Sequence, residues 1–593
     1  MNISRREFLQ ILAVAGTAGL ALPGCSALSA RRNSARNSAR NSARKHQRAP
    51  ENFYDIPKYG NVSLFHFTDC HAQLMPVWFR EPNINIGIGS MKGRPPHLAG
   101  QNLLDYFNLP ANSIYSYAHT YLDFVEAAHQ YGKVGGFAHI ATLIKQLRSS
   151  RPNSLLLDGG DTWQGSATAL WTDAQDMVDA CRILGVDAMT AHWEFTYGAD
   201  RVSEIIEKDL IPNKMDFLAQ NVIDNEWEEP VFKPYTIREM NGVKVAVIGQ
   251  AFPYTPIANP RYKVPDWSFG IRDDHLQSMV DKVYEEGAEI VVLLSHNGMD
   301  VDLKLATRVT GLHAILGGHT HDAVPGTMPV KNPGGETTLV INSGSNGKFV
   351  AVLDFDVQGG KVKGHQFHML PVFSNLLKAD PEMNKHIESV RAPFLDKLNE
   401  PLAVTDELLY RRGNFNGTFD QVILDAMLEV QDAEIAFSPG FRWGISKLPG
   451  ETVTFEDLMT QTAITYPAAT LNLTSGEQIK NILEDVADNL FNKDPYYQQG
   501  GDMVRVGGLK FSIDPTADIG KRIDDMTLNG KRLSANKKYK VAGWASVQEQ
   551  PEDATPIWDI VGGYMRDQKV IKIKDFNEPV VKNLGNNPGY IKI

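Results

Sequence analysis

The chain has 593 residues, too many for one ordinary hydrophobic core, so at least two domains are expected. Its hydrophobic fraction of 42% and charged fraction of 22% are those of a globular protein. The first 50 residues hold nine Lys/Arg and one Glu, a net charge of +8, which leaves 50 basic and 69 acidic residues, a net charge of −19, for the rest. A body this acidic excludes general nucleic-acid binding, and an anionic substrate would need a local positive site such as a bound divalent metal.

Residues 1–30 are typical of a targeting signal. Ser4-Arg5-Arg6-Glu7-Phe8-Leu9 is a twin-arginine pattern, and the apolar run after it, residues 11–22, is too short and too rich in Ala and Gly for a mature membrane span. This pattern resembles Tat export signals and predicts a periplasmic protein. Leu22-Pro23-Gly24-Cys25 also resembles a lipobox, so a lipid anchor at Cys25 and cleavage near Ala30 both remain open.

Residues 31–50 form a low-complexity basic linker in which Arg-Asn-Ser-Ala occurs three times in succession, from Arg32 to Ala43. Such a polar run cannot bury a core, and a disordered spacer is expected. The chain has three cysteines, one of them in the leader, so no disulfide framework is implied.

Short apolar runs alternate with helical patterns over residues 51–380. This alternation predicts an α/β layered domain. Residues 80–130 interrupt the alternation and are interpreted as an insertion, with Lys92-Gly93-Arg94 in a solvated loop. The predicted strands are Val62–Phe67, Ser154–Leu157, Ala188–Thr190, Val243–Ile248, Ile290–Leu294 and Ala314–Leu316, and two of the predicted helices are Phe137–Arg148 and Asp274–Glu286. A helical connector over 381–400 and a second, α+β domain over 401–593 follow.

Five clusters of metal-ligand side chains follow the ends of the predicted strands, where such sheets bind ligands. Residues two apart in an extended segment point the same way, so Asp69 with His71, and His319 with His321, are each expected to converge. Carboxylate and imidazole ligands without thiolate suit Mn, Fe or Zn, and Asp161 is placed to bridge two ions. Each cluster alone is weak, but five in this order are hard to explain by chance. The clusters are Asp69-Cys70-His71, Gly160-Asp161, Ala191-His192-Trp193-Glu194-Phe195, Ser295-His296 and Gly317-Gly318-His319-Thr320-His321-Asp322.

This order of motifs resembles the calcineurin-like metallophosphoesterases, and within them the 5′-nucleotidase family. The resemblance covers nearly the whole chain after the linker. It implies a layered metallophosphoesterase domain followed by a 5′-nucleotidase-like C-terminal α+β domain that binds substrate. It also implies two metal sites, one held by Asp69, His71, Asp161 and His321, and the other by Asp161, His296 and His319 with a ligand from the third cluster.

The third cluster departs from the family pattern Gly-Asn-His-Glu-Phe. Aligned on Glu194-Phe195, the metal-binding Asn has become His192 and the catalytic His has become Trp193. His192 can still ligate, but Trp193 cannot transfer a proton, and acid–base help is typically worth ~10²–10⁴-fold in rate. The site therefore favours a leaving group that departs without protonation, such as a thiolate or persulfide, since a thiol has a pKa of only ~8.5.

The segments 67–74 and 191–198 closely resemble the SoxB family of the bacterial thiosulfate-oxidising Sox system. This resemblance implies a dinuclear sulfohydrolase with two Mn(II) ions, Zn and Fe being the alternatives. Its implied reaction is hydrolysis of a cysteine S-thiosulfonate on the carrier protein SoxYZ, which releases sulfate and leaves a persulfide. Asp161, His192 and Arg442 are the predicted catalytic residues.

Substrate-side candidates lie mainly in the second domain. Phe437-Ser-Pro-Gly-Phe-Arg442-Trp-Gly444 resembles the substrate loop of the nucleotidases, with Arg442 as the anion-binding candidate and a structural salt bridge as its alternative. Asn416 lies in a glycine-containing loop, and Arg505 in a glycine-rich run, 500–508, that would let a thin carrier arm approach the backbone. For Arg505 a structural role is the stronger alternative. Trp193, in the first domain, is the fourth substrate-binding candidate.

Two other functions stay open. A periplasmic 5′-nucleotidase or cyclic-nucleotide phosphodiesterase would need a proton donor in place of the His lost at Trp193, and an aromatic clamp for the base. The other alternative is a metal-binding scaffold without activity, in which Trp193 marks an inactive site.

Overall fold

The computed structural model describes residues 47–548, 550–551 and 553–591. The predicted signal, Cys25 and all but the end of the linker lie outside these residues. Among the described helices, none combines the length and the apolar character needed to cross a bilayer.

Two six-stranded sheets form the N-terminal domain. Its strands are β1 (Val62–Phe67), β2 (Leu155–Asp158), β3 (Ala188–Met189), β4 (Asp216–Phe217), β5 (Ile223–Asp224), β6 (Tyr235–Met240), β7 (Val243–Gln250), β8 (Trp267–Ser268), β9 (Ile290–Ser295), β10 (Ala314–Gly317), β11 (Met328–Lys331), β12 (Thr337–Asn342), β13 (Phe349–Gln358) and β14 (Lys361–Pro371). The first sheet has the order β14-β13-β1-β2-β3-β4 and the second β11-β12-β10-β9-β7-β6, while β5 and β8 pair in a separate two-stranded sheet. Strands β1, β2 and β3 run parallel, as do β7, β9 and β10, so the carboxyl ends of each set share one edge.

The helices of this domain are α1 (Gln101–Phe107), α2 (Ile114–His119), α3 (Phe124–Tyr131), α4 (Phe137–Ser150), α5 (Ala167–Trp171), α6 (Gln175–Leu184), α7 (Ala199–Ile205), α8 (Thr255–Ala258), α9 (Asp273–Glu285) and α10 (Met299–Leu305). Helices α4 and α6 cover the outer face of the first sheet, and α9 and α10 cover that of the second. Successive side chains of a strand point to opposite faces. Along β1, Leu64 therefore packs between the two sheets, whereas Phe65 and Phe67 pack against helices α4 and α6. The result is the predicted layered α/β domain, with an α-β-β-α order.

The inserted segment 80–130 is more ordered than the loop interpretation suggests. It contains α1, α2 and α3, and Tyr117, Phe124 and Tyr131 are buried there around a shared cluster with Phe373. At the tip, Lys92 and Arg94 are exposed, as predicted. The segment lacks a long periodic pattern because its short apolar stretches are buried by distant parts of the chain, which sequence spacing does not reveal.

The second domain is α+β, as predicted. A connector of α11 (Pro381–Arg391) and α12 (Leu395–Leu398) leads into β15 (Pro401–Thr405), β16 (Ile435–Ser438), β17 (Thr452–Thr454), β18 (Ala469–Ser475), β19 (Arg505–Gly507), β20 (Leu509–Ile513), β21 (Ile523–Leu528), β22 (Lys531–Arg532), β23 (Lys538–Trp544), β24 (Val570–Ile571) and β25 (Val580–Val581), with helices α13 (Thr418–Val430), α14 (Phe455–Thr462), α15 (Gly476–Phe491) and α16 (Ile557–Gln568). Three sheets form, with orders β17-β15-β24, β18-β23-β16-β19 and β22-β21-β20-β25.

The C-terminal tail returns to the N-terminal domain. Asn85 N–H donates to the Gly589 carbonyl at 2.7 Å, and Ala99 N–H donates to the Pro588 carbonyl at 3.0 Å. A bridge between Ile84 and Tyr590 adds a further contact. The tail therefore ties the second domain to the inserted segment beside the candidate site.

Candidate metal centre

The seven predicted ligands meet at the carboxyl ends of β1, β2, β3, β9 and β10. They form two groups of four that share Asp161, and within each group the ligand atoms lie within 4.8 Å of one another. Every member is buried. One group is Asp69, His71, Asp161 and His321, and the other is Asp161, His192, His296 and His319. The family resemblance implied this division, and His192 is the candidate ligand from the third cluster.

The ligand loops converge through left-handed backbone turns. The φ angles are 52° at Asp69, 45° at His71, 57° at Asp161, 73° at His319 and 57° at His321. The expectation that extended segments align their alternate residues is therefore wrong in its cause. Asp69 and His71 do fall in one group, whereas His319 and His321 fall in different groups. Non-glycine residues rarely adopt this conformation, and it persists only where surrounding contacts hold it.

Glu194 supplies much of that support. Its buried carboxylate accepts the N–H groups of Asp161 at 3.2 Å, Thr162 at 2.7 Å and His192 at 2.8 Å. It thereby holds the second and third clusters together. In the sequence, Glu194 served only to align the third cluster with the family pattern. The position of Glu194 two residues after His192 was the one indication of this supporting role.

Hydrogen bonds also orient the imidazoles. His296 Nδ1 lies 2.6 Å from the Gly159 carbonyl, and His71 Nδ1 lies 3.2 Å from the Gln164 carbonyl. These carbonyls fix the Nδ1–H tautomer and leave each Nε2 free to ligate. His296 Nε2 is accordingly 3.0 Å from Asp161 Oδ2, and His71 Nε2 is 3.7 Å from the same oxygen.

The electrostatics favour a bound cation. Burial acts to raise the pKa of Asp161, but His296 and His192 outweigh it and hold this pKa well below its usual range. Burial acts to lower the pKa of His296, but Asp161 and Asp69 raise it to about 10. Burial lowers the pKa of His71 to about 4, so this ligand is neutral near pH 7. A positive charge is thus stabilised among the carboxylates.

The donor set fits two divalent ions. His192 Nε2 and both ring nitrogens of His319 are buried and lack a hydrogen-bond partner within the described chain. Leaving such groups unsatisfied costs roughly 1–3 kcal/mol each, and coordination would satisfy one ring nitrogen of each imidazole. Cys70 belongs to neither group, and burial raises the pKa of its thiol well above the usual range, so it stays protonated. The remaining imidazoles and carboxylates suit Mn, Fe or Zn.

A cleft of about 630 Å³ between the two domains reaches this centre at His319; we call it the first cleft. Arg412, Arg442 and Asn297 are among its lining residues, together with Gly500. A Cβ atom at Gly500 would lie only 1.9 Å from His319 Nε2, so this position requires glycine. The glycine-rich run does permit a close backbone approach, and in this structure the backbone approaches His319.

The substrate-side candidates separate into two sets. Arg442 donates to the Gly501 carbonyl at 2.7 Å and lines the first cleft, as does Arg412, which sequence reasoning missed. Asn416 exchanges hydrogen bonds with the backbone of Val506, at 3.0 and 3.2 Å. Arg505 is fully buried and donates to the Gly413 carbonyl at 2.9 Å. Neither Asn416 nor Arg505 lines the cleft; both hold backbone segments of their own domain.

Trp193 lies beside the centre without a titratable group. Its backbone N–H donates to Asp161 Oδ1 at 2.8 Å. Its ring packs edge-on against Trp443 at 5.0 Å and Phe441 at 5.5 Å. Phe441 and Trp443 stack on each other with centroids 3.9 Å apart. An aromatic wall therefore stands where the family places a histidine.

Comparison with known proteins agrees with this geometry. Residues 403–551 match the family model described as 5′-nucleotidase, C-terminal domain. The chain is 24% identical over 435 residues to a bovine 5′-nucleotidase, which covers 66% of this chain and 72% of the relative. The sulfate thiohydrolase SoxB of Thermus thermophilus superposes with a TM-score of 0.84 and 33% identity, over 90% of this chain and 98% of that one. A 5′-nucleotidase precursor, also from Thermus thermophilus, shares the fold, with a TM-score of 0.70 and 20% identity over 88% and 99%. The chain therefore belongs to the 5′-nucleotidase family of hydrolases, in the group that contains SoxB.

Proposed function

We propose that this hydrolase cleaves a cysteine S-thiosulfonate on the carrier protein SoxYZ, in the periplasm. The reaction is R–S–S–SO₃⁻ + H₂O → R–S–SH + SO₄²⁻ + H⁺. An oxygen–sulfur bond forms at the sulfone sulfur. The bond between the sulfone sulfur and the sulfane sulfur breaks, and its electron pair passes to the sulfane sulfur, which stays bonded to the cysteine sulfur as a persulfide. The likeness to SoxB supports this choice over other reactions of the family.

The observation that carries the proposal is Trp193. This residue stands where the family has its proton-donating histidine, and its buried ring packs against Trp443, Phe441 and His192. An alkoxide leaving group would suffer from the missing acid, whereas a persulfide departs as an anion. The site chemistry therefore favours a sulfur leaving group over a phosphate ester.

The residues of the site have separate roles in the proposed hydrolysis. Two divalent ions bound by the seven ligands would supply Lewis acidity and lower the pKa of a water to about 7. Asp161, shared by both groups, sets the separation between the two sites. Arg442 and Arg412 line the first cleft and donate to the sulfonate oxygens of the substrate. Trp193 excludes bulk water from the side of the departing sulfur.

The first cleft suits a thin charged arm. It lies between the domains. Arg412 and Arg442 are the positive groups that a sulfonate would contact there, and Asp300, Asp322 and Asp502 line the same cleft. Arg442 remains tied to Asp502 at 3.5 Å, and this contact orients its guanidinium. The carrier cysteine would enter from the solvent side and place its sulfonate between the arginines and His319.

We further propose Mn(II) as the metal and Tat as the export route. Mn²⁺ binds weakly in the divalent series and would lose to Zn or Cu outside the cytoplasm. Folding around Mn before export avoids this competition. The twin-arginine motif at Arg5 and Arg6 supports this order of events.

A nucleotide-cleaving activity is the rival. The relatives named 5′-nucleotidase support a nucleotide-cleaving activity. The aromatic residues at the cleft do not support it, because they offer no clamp for a base. The stacked rings of Phe441 and Trp443, at 3.9 Å, leave no space for a third ring between them. The position of Trp193 also lacks the proton donor that a nucleotide ester requires.

The test compares two substrates on metal-loaded protein. Sulfate release from S-thiosulfonated carrier is measured by ion chromatography, and phosphate release from AMP is measured in parallel. We expect turnover of the carrier alone, and a Trp193→His variant that gains AMP hydrolysis by about 10²-fold because a proton donor is restored. Robust AMP turnover by the unaltered chain, with none on the carrier, would contradict the proposal.

An Asp161→Ala variant addresses the scaffold alternative. It removes the shared ligand, so sulfate release should fall below detection while the fold is retained. Asp524→Ala, the same change at an exposed carboxylate, is the matched control and should keep full activity. If the unaltered chain releases neither product, the scaffold alternative stands.

A further inference from the structure

A second cleft, partly open to solvent, borders the metal centre at His321. It runs between the inserted segment and the loop that follows β10. Leu103 and Phe107 of α1 line one side, and His119, His321 and Arg412 line the inner part. The first cleft borders His319 instead, so the two clefts approach the centre from different sides.

A hydrogen-bonded partition separates the two clefts. Asn85 Nδ2 donates to Asp322 Oδ1 at 3.1 Å, and both residues line both clefts. His97 continues the chain, with Nδ1 3.2 Å from Asn85 Oδ1 and Nε2 2.9 Å from Asp300 Oδ2. A substrate that fills the first cleft therefore leaves the second cleft as a separate space.

Unsatisfied polar nitrogens surround the second cleft. His321 Nδ1, His119 Nδ1 and Arg412 Nε are buried, and no described residue hydrogen-bonds to them. The ligand imidazoles of His71 and His296 each have a carbonyl partner for Nδ1, but His321 has none. A ligating histidine normally donates its second N–H to a carboxylate, a carbonyl or a water. Ordered waters bridge otherwise unsatisfied groups of this kind.

We propose that the second cleft holds a row of ordered water molecules. These supply the water for hydrolysis while the carrier arm fills the first cleft, so the inference rests on the proposed function. The charge of the lining fits water better than departing sulfate. Glu81 is paired with Lys348 at 2.7 Å, and Asp322 offsets Arg412, so the lining has no net positive charge. A sulfate dianion would gain no attraction there.

The test narrows the second cleft at Leu103, which has no polar role and lies outside the ligand loops. Leu103→Trp should lower kcat on the S-thiosulfonated carrier at least tenfold with KM unchanged. On a small soluble thiosulfonate, free cysteine S-thiosulfonate, the loss should stay below twofold, because this substrate leaves the first cleft open to solvent. Tyr106→Trp, at an exposed position of the same helix, is the control for added bulk and should match the unaltered chain on both substrates.

Equal losses on the two substrates, or no loss on either, would overturn the water route. A high-resolution crystal structure of the unaltered protein gives an independent readout, in which waters should be bonded to His321 Nδ1 and His119 Nδ1. A dry second cleft would also overturn the proposal. Failure of the proposed function has a different signature, since the unaltered chain would then release no sulfate from either thiosulfonate, whatever the crystal shows.

Discussion

At the scale of single residues, the centre combines strained backbone with dense support. Asp69 adopts a left-handed conformation, yet its carboxylate accepts the Thr68 hydroxyl at 2.5 Å and the His319 N–H at 3.0 Å. Glu194 supports Asp161, which is also left-handed, by accepting its backbone N–H. These contacts hold the candidate ligands close together before any cation binds. The carboxylates then repel each other unless a proton is held among them.

That trapped proton predicts a pH dependence of metal binding. Asp161 and Asp69 raise the pKa of His296 to about 10, against its burial, so the metal-free chain carries a proton there at pH 7. A cation must displace this proton, and Mn(II) affinity should therefore rise by up to about tenfold per pH unit between pH 6 and 8. Titration calorimetry in buffers of different ionisation enthalpy should detect about one proton released. A heat of binding that is the same in every buffer would contradict this expectation.

At the scale of elements, the inserted segment and the C-terminal tail depend on each other. The tail passes so close that a Cβ atom at Gly589 would lie 2.0 Å from the Asn85 carbonyl oxygen. Asn587 Nδ2 adds a hydrogen bond to the Gly87 carbonyl at 2.8 Å. These contacts position Asn85, which forms the partition between the two clefts.

Gly589→Ala should therefore loosen this junction. Because the obstructing atom is backbone, we expect the free energy of unfolding to fall by about 1–3 kcal/mol, as in other overpacked sites. The measurement is thermal unfolding followed by calorimetry. Gly563→Ala, in α16 where a new Cβ meets nothing within 4 Å, is the matched control and should be neutral or stabilising by roughly 0.5–1 kcal/mol. Equal effects of the two changes would rule out a steric role for the tail.

At the scale of the whole molecule, export and metal choice are coupled in our proposal. Protein purified from the periplasm should contain two Mn per chain by elemental analysis. The same chain behind a Sec-type signal, which would deliver it unfolded, should acquire Zn or Cu instead because these ions bind more tightly. Stoichiometric Zn without Mn in the natural form would refute the coupling.

The layered domain and the α+β second domain could be predicted from the sequence, because the alternation of strand and helix patterns is a local feature. The division of the seven candidate ligands into two groups was implied by the family resemblance that the local motifs carry. The sequence did not reveal the order within residues 80–130, the role of Glu194, or Arg412 at the cleft. Asn416 and Arg505 resembled substrate ligands, yet their side chains hold backbone.

Those features depend on contacts between residues far apart in the chain. The partition at Asn85 and Asp322 joins positions 237 apart, and the tail contact at Asn85 and Gly589 spans both domains. Local propensity carries no information about such pairs, because the free energy that selects them comes from burial and hydrogen bonding in the folded state. Only the tertiary structure could decide that two clefts, and not one, lead to the metal centre.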